Sequence, residues 1–250
     1  MFLASFSMAV IFLFSNVVQF NREKKNEKNY SPDAQRSTTS YTGKAQIGGN
    51  WLLYDTKGNP VTHKDFEGKY YLIYFGFTFC PDICPVSLNK MARAMNIVKK
   101  SKEYQYFDLE ALFVSVDPDR DSNERIEEYC KLFDPSLIGL THKSNNNSEL
   151  KEILKKFKIH VSKIVLTDEE EEEDRKSLQE HAPEVIEKLA KYEKKKDEKY
   201  TLDHSIIVYL IGPDNQFLTY LGSNLEEKDM ASLILDEVTN DMKRKVMPQK

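Results

Sequence analysis

Three cysteines in 250 residues are too few to staple a disulfide scaffold, and nine glycines and nine prolines exclude a collagen-like chain. Beyond the first twenty residues no apolar run is long enough to cross a bilayer, which excludes a multi-span membrane protein. Basic residues are not concentrated on any stretch as nucleic-acid binding requires: 36 Lys and Arg stand against 40 Asp and Glu, for a net charge of −4. Internal repeats are absent, and so are a Gly-Lys-Ser/Thr phosphate loop and any pattern suggesting a serine triad. What remains is a chain long enough for one large domain or two small ones with a proper core.

Residues 1–20 carry no charge and are long enough to span about 30 Å of hydrocarbon at about 1.5 Å per residue. They read as a transmembrane anchor. A cleaved signal peptide is the rival, but no basic leader precedes the apolar run and no small-residue cleavage site follows it. Arg22, Lys24, Lys25 and Lys28 come next, and by the positive-inside rule they would hold the rest of the chain back rather than export it. Residues 21–44 are rich in Asn, Lys, Ser and Thr and read as a tether, with the folded domain over 45–250.

Within that domain IGGNWLLYD, the turn TKGN and PVTHKDF predict a short hairpin. KYYLIYFGF is a continuous apolar run suited to a strand buried on both faces. Leu88, Met91, Met95 and Val98 then repeat at helical spacing. ALFVSVD and LIGLTH predict further buried strands. Between them Asp121 and Glu124 suggest a capping box for a helix with Ile126, Cys130 and Phe133 inward. Leu150, Leu154 and Phe157 mark another helix. HSIIVYLI, the turn GPDN and QFLTYLG form a final strand pair, and a last helix carries Met230, Leu233, Ile234 and Val238. The order βαβαβαββα predicts one α/β domain with helices on both faces of its sheet.

Residues 167–200 interrupt this pattern. They open on seven consecutive acids, residues 168–174, without which the chain is mildly basic, and continue into the Lys- and Glu-rich APEVIEKLAKYEKKK. A surface helix with a weak apolar stripe (Val185, Leu189) is one reading. The favoured one is a low-complexity, solvated insertion on which no core depends, so that deleting residues 168–198 leaves the fold intact.

The chemically informative segment is FGFTFCPDICP, where the first buried strand ends and a helix begins. Sites collect at that end of an open α/β sheet. Pro85 cannot continue a regular helix from Pro81, so the spacing predicts a tight turn with the helix starting at Pro85. Cys80 and Cys84 would then sit near a helix N-terminus, where the dipole favours thiolate. Two close thiolates bind a soft metal or form a disulfide; burial as small hydrophobes is the plainer alternative. Cys130, on the apolar stripe of its helix, is explained by packing. His63, His142, His160 and His181 read as surface or core-edge residues. His204 differs, because it directly precedes a buried strand and follows Asp203. Brought beside the turn, it would complete a three-coordinate rim site that suits copper(I) better than zinc. Asp117, Asp119 and Asp121, in the DPDRD run after the second strand, are candidates for carboxylates that support the site or dock a partner, as is Asp203; a capped turn is the simpler reading of that run.

YFGFTFCPDICP, VSVDPDRD and LDHSIIVYLIGPDNQFLTYLG, in that order, resemble the Sco/SenC family of copper chaperones, from about Ile47 to Lys245 with the insertion interrupting. The resemblance implies a thioredoxin-like fold and a copper site made by Cys80, Cys84 and His204. It implies a role in building the binuclear copper centre of cytochrome c oxidase subunit 2, with copper received from a donor chaperone. It also implies an anchor in the mitochondrial inner membrane and a domain facing the intermembrane space, against the local charge count. Phe79 stands where relatives commonly have histidine. Reduction of the cysteines of that oxidase centre, as a thiol–disulfide oxidoreductase, is the alternative activity. No Arg-rich presequence precedes the apolar segment.

Overall fold

The computed structural model describes residues 46–142, 147–189, 191 and 200–246; the expected anchor and tether over residues 1–44 lie outside them. Strands β1 (Leu52–Asp55) and β2 (Pro60–Thr62) form the predicted hairpin. The central strand β3 (Tyr70–Gly76) is buried at every position and lies parallel to β4 (Leu109–Ser115), which lies parallel to β5 (Leu137–Thr141). The chain then doubles back, with β8 (Ile207–Ile211) antiparallel to β3 and β9 (Phe217–Gly222) antiparallel to β8. The seven strands run β2-β1-β5-β4-β3-β8-β9. A near-continuous apolar strand such as β3 is what a sheet covered on both faces demands.

Helices α1 (Ile83–Lys99), α2 (Asn123–Phe133), α3 (Asn147–Lys156) and α6 (Glu227–Val246) supply those covers. Alternation along β3 divides the work. Tyr70, Leu72, Tyr74 and Gly76 point one way: the Tyr70 hydroxyl donates to Asp241 on α6, and Phe113, paired with Tyr74, stacks on Tyr129 of α2. Phe75 points the other way, onto Phe157, whose carbonyl accepts from Tyr209.

Three local expectations are corrected. Helix α1 begins at Ile83, not Pro85, because Pro85 then falls in the first turn, where its ring faces a carbonyl outside the helix. Ser122, not Asp121, caps α2, its side chain accepting from the Arg125 N–H. A second, two-stranded sheet pairs β6 (Val161–Val165) with β7 (Tyr200–His204), segments too short and too polar to announce themselves as strands.

The 167–200 stretch also departs from its reading as wholly solvated. It holds helix α4 (Asp168–His181), capped by a Thr167–Glu170 capping box and without a buried side chain, and then α5 (Pro183–Leu189). Ala182, Val185 and Leu189 are buried in the main hydrophobic core. A sparse apolar stripe was visible in the sequence; the groove beside α2 that receives it was not.

Candidate metal centre

The site is assembled where β3 ends. After Gly76 the chain turns through Phe77 to Asp82, with the Cys80 N–H returning to the Phe77 carbonyl, 3.3 Å. Cys84 lies in the first turn of α1, and its backbone N–H donates to Cys80 Sγ at 3.4 Å, so the helix N-terminus does face a sulfur. Gly76 is required by close approach: a Cβ there would sit 2.8 Å from Cys84 Sγ. The Tyr74 hydroxyl donates to that same sulfur at 3.5 Å.

His204 arrives from the other sheet. As the last residue of β7 it pairs with Val161, and the next residue is held by Ser205 N–H to the His160 carbonyl, 3.1 Å. Its ring packs edge-on to Phe77 and Tyr74. Nδ1 lies 3.2 Å from the Ser205 carbonyl and Nε2 lies 3.2 Å from Cys84 Sγ. Nδ1–H donating to the carbonyl leaves the Nε2 lone pair aimed at the sulfurs, the usual arrangement for a ligating imidazole.

One ligand atom from each of Cys80, Cys84 and His204 lies within 4.8 Å of the others. The expected rim position is corrected to a buried one, since these residues are only 4%, 0% and 5% exposed. The expectation that both thiols are acidified is corrected too. Hydrogen bonding from Cys84, with help from His204 and the backbone N–H, holds the Cys80 thiol well below its ordinary range despite burial. Burial, reinforced by the charge on Cys80, pushes the Cys84 thiol up. Two soft sulfurs and one imidazole, with no fourth donor in the cluster among the described residues, fit three-coordinate copper(I) and leave zinc one ligand short.

A layer of polar groups holds the turn. Asp121 accepts from the Thr78 N–H, from the Thr78 hydroxyl at 2.6 Å and from the Ser115 hydroxyl at 2.6 Å, tying the Cys80 loop to the end of β4. Arg125 donates to the Thr78 side chain, to the Thr78 carbonyl and to the Leu189 carbonyl, and its guanidinium lies 3.7 Å over Phe79. Asp117 pairs with Arg120 and accepts from Tyr200, while Arg120 stacks on the Tyr200 ring and donates to its carbonyl. Asp117 and Asp121 are thus brought to the neighbourhood of the turn. Asp119 and Asp203 are exposed, Asp203 directly before His204 in β7.

The other candidates resolve as packing or surface groups. Cys130 is buried in the core, its thiol pushed up by burial. His63 accepts from the Trp51 N–H, His142 pairs with Glu149, His160 is exposed, and His181 lies 3.9 Å from Asp82. Sequence reasoning missed Tyr74, Thr78, Arg120, Arg125 and Tyr200. Only the arginines carried a signal, Arg125 by standing beside Ile126 on the inward stripe of its helix.

Burial, with the charge of Asp117 adding, pushes the Asp121 carboxyl up to about 6 from an ordinary 3.8, against the hydrogen bonds from Ser115 and Thr78. The folded state therefore binds this proton more tightly than the unfolded chain. Its contribution to stability is full below about pH 4 and is lost as pH rises through 6, on the order of 3 kcal/mol at about 1.36 kcal/mol per unit. Thermal melts of the wild type and Asp121→Asn between pH 4 and 7 are expected to differ in slope, with the variant flatter; parallel curves contradict the assignment.

A parallel-centred sheet, helices on both faces and a Cys-Cys-His cluster at the strand ends define the class: a thioredoxin-like domain with a soft-metal centre. The solved structures agree. The chain aligns with a copper-bound ScoI of Arabidopsis thaliana at 31% identity and TM-score 0.60, over 78% of this chain and 99% of that one. A copper-bound yeast Sco1 aligns at 31% identity and TM-score 0.60, over 82% and 96%. The SCO1/SenC family model matches residues 39–186 and 183–239, and the chain belongs to that family. Its similar proteins include protein sco1 of Schizosaccharomyces pombe, 35% identical over 86% of this chain and 68% of that protein. The mitochondrial SCO1 homologue of Mus musculus is 34% identical over 88% of this chain and 66% of the relative; the human one is 33% identical over 84% and 59%. The chain thus spans roughly three-fifths to two-thirds of the length of these relatives.

Proposed function

We propose that this protein is a copper metallochaperone that carries copper(I) on Cys80, Cys84 and His204 and delivers it to the binuclear centre of cytochrome c oxidase subunit 2. The observation that carries the reading is the convergence of those three ligand atoms within 4.8 Å, from two segments 120 residues apart. A three-coordinate site leaves the metal a vacant coordination position, which a partner's thiolate takes once docking uncovers the buried ligands, before the donor lets go. Copper would arrive from a donor chaperone by the same exchange.

The names of the mammalian relatives support a mitochondrial setting. We place the chain at the inner membrane, tethered through residues 1–20, with the domain in the intermembrane space. Among the described residues no helix is long and apolar enough to cross a membrane, and the proposed anchor lies outside them.

Reduction of the oxidase cysteines is the second reading, favoured by one observation: Cys80 is held toward thiolate beside a second sulfur. Transfer decides between them. Copper(I)-loaded protein mixed with the copper-free, already reduced soluble domain of subunit 2 is expected to lose its metal to that domain. Copper that stays put, while disulfide-oxidised subunit 2 is reduced by the metal-free protein, would overturn delivery in favour of thiol exchange.

A further inference from the structure

We propose that Tyr74 is a positioning residue of the copper site, whose hydroxyl sets the donor strength of the Cys84 sulfur. This rests on the reading of Cys80, Cys84 and His204 as copper ligands. Tyr74 lies in the middle of β3, fully buried, in a run that otherwise reads as core. Buried phenols usually find a partner for the O–H, Tyr129 being the exception among the described residues. Tyr70 donates to Asp241, Tyr71 to Asn215 and Tyr209 to the Phe157 carbonyl, all oxygen acceptors. Tyr74 gives its hydrogen bond to a sulfur instead, Cys84 Sγ at 3.5 Å.

Packing alone does not call for that oxygen. Phe75, Phe77 and Phe113 fill the same region without one. The ring already does a separate task, lying edge-on to His204 at 6.2 Å between centroids, so one side chain touches two of the three proposed ligands. The Cys84 N–H donates to the Cys80 sulfur and the Tyr74 hydroxyl to the Cys84 sulfur. Of these two bonds, only the second can be removed by substitution without disturbing the backbone. Ser87, one helical turn after Cys84, lines the same small cavity as Tyr74 and eases ionisation of the phenol.

A hydrogen bond to a ligating thiolate draws electron density from sulfur, weakening its donation and favouring the lower oxidation state of the metal. Tyr74 would therefore bias the site toward copper(I) and lower the energy of the sulfur lone pairs. In the metal-free protein the same bond stabilises the reduced pair against the disulfide, whose sulfurs accept hydrogen bonds poorly. That equilibrium balances as two thiols plus oxidised glutathione giving the Cys80–Cys84 disulfide plus two reduced glutathiones, two electrons passing to glutathione.

The test uses the full-length chain with Tyr74→Phe, and with Tyr70→Phe as the control for losing a buried phenol on the same strand face. In copper(II)-loaded Tyr74→Phe the sulfur-to-copper charge-transfer band is expected to move to lower energy. In the metal-free protein the glutathione equilibrium is expected to shift about fivefold toward the disulfide, about 20 mV at 29.6 mV per decade. Ser87→Ala is expected to move both readouts the same way by less, and Tyr70→Phe to move neither. Tyr74→Phe that melts like the wild type with an unchanged band and thiol equilibrium would reduce Tyr74 to packing. Should Tyr74→Phe not fold, Ser87→Ala decides the question through the same two readouts. If the wild type takes up no copper, the ligand reading fails, and the thiol equilibrium still decides the role of Tyr74.

Discussion

Serine at Cys80 or Cys84, or alanine at His204, is expected to weaken copper(I) binding by well over 100-fold while leaving the domain folded. Loss of a partner that merely supports a ligand costs about 10- to 100-fold, so losing one of three ligands costs more. Cysteine and serine differ little in size, and a hydroxyl at position 84 still meets Tyr74 and His204 with hydrogen bonds. His204→Ala removes a ring packed on Phe77 and Tyr74, about 1–2 kcal/mol of burial. Cys130→Ser is the control, since that thiol is buried against Gly139 and is not among the three clustered ligands. Competition against a copper(I) chelator under anaerobic conditions reads all four. Wild-type affinity in His204→Ala would remove the imidazole from the ligand set.

The second large effect is structural and reverses the reading of residues 168–198 as dispensable. Replacing them by a short Gly-Ser linker exposes the groove filled by Ala182, Val185 and Leu189 and strips Arg125 of its Leu189 acceptor. Burial of a valine and a leucine stabilises by about 1.5–3 kcal/mol each. A domain of this size loses about 2–4 °C per kcal/mol, so the melting midpoint is expected to fall by ~10 °C or more. Removing α4 alone, residues 168–181, is expected to change it by much less, because only Leu178 there packs against the core and it is part-buried. Equal midpoints for the wild type and the longer deletion would show that α5 is not part of the core. Because Arg125 also holds Thr78 and covers Phe79, the longer deletion reaches the cysteine turn as well.

Legibility in the sequence followed the range of the interaction. β3 could be read because both its faces are covered, so every residue is buried and none is charged; α1 could be read because Leu88, Met91, Met95 and Val98 recur on one stripe. The cysteine turn announced itself through two prolines and a strand end. The proximity of His204 to it could only be conjectured from a loop position. It depends on β7 pairing with β6, and VSKIV and YTLDH carry mixed polar and apolar residues with no clear period. The supporting layer was least visible. Asp121 looks locally like a helix cap, and only the fold brings Thr78 and Ser115 close enough to claim its oxygens and leave the cap to Ser122. Tyr74 reads as one more core aromatic until the sulfur beside its hydroxyl is located.

The most direct test of the central claim is the coordination shell of the copper(I)-loaded protein by X-ray absorption at the copper edge. Expected is one copper per chain with two sulfur neighbours and one imidazole nitrogen, the nitrogen lost in His204→Ala and one sulfur lost in either cysteine variant. A shell of sulfur alone, unchanged by removal of His204, or a short copper–copper distance from a shared cluster, would contradict a mononuclear Cys80–Cys84–His204 centre.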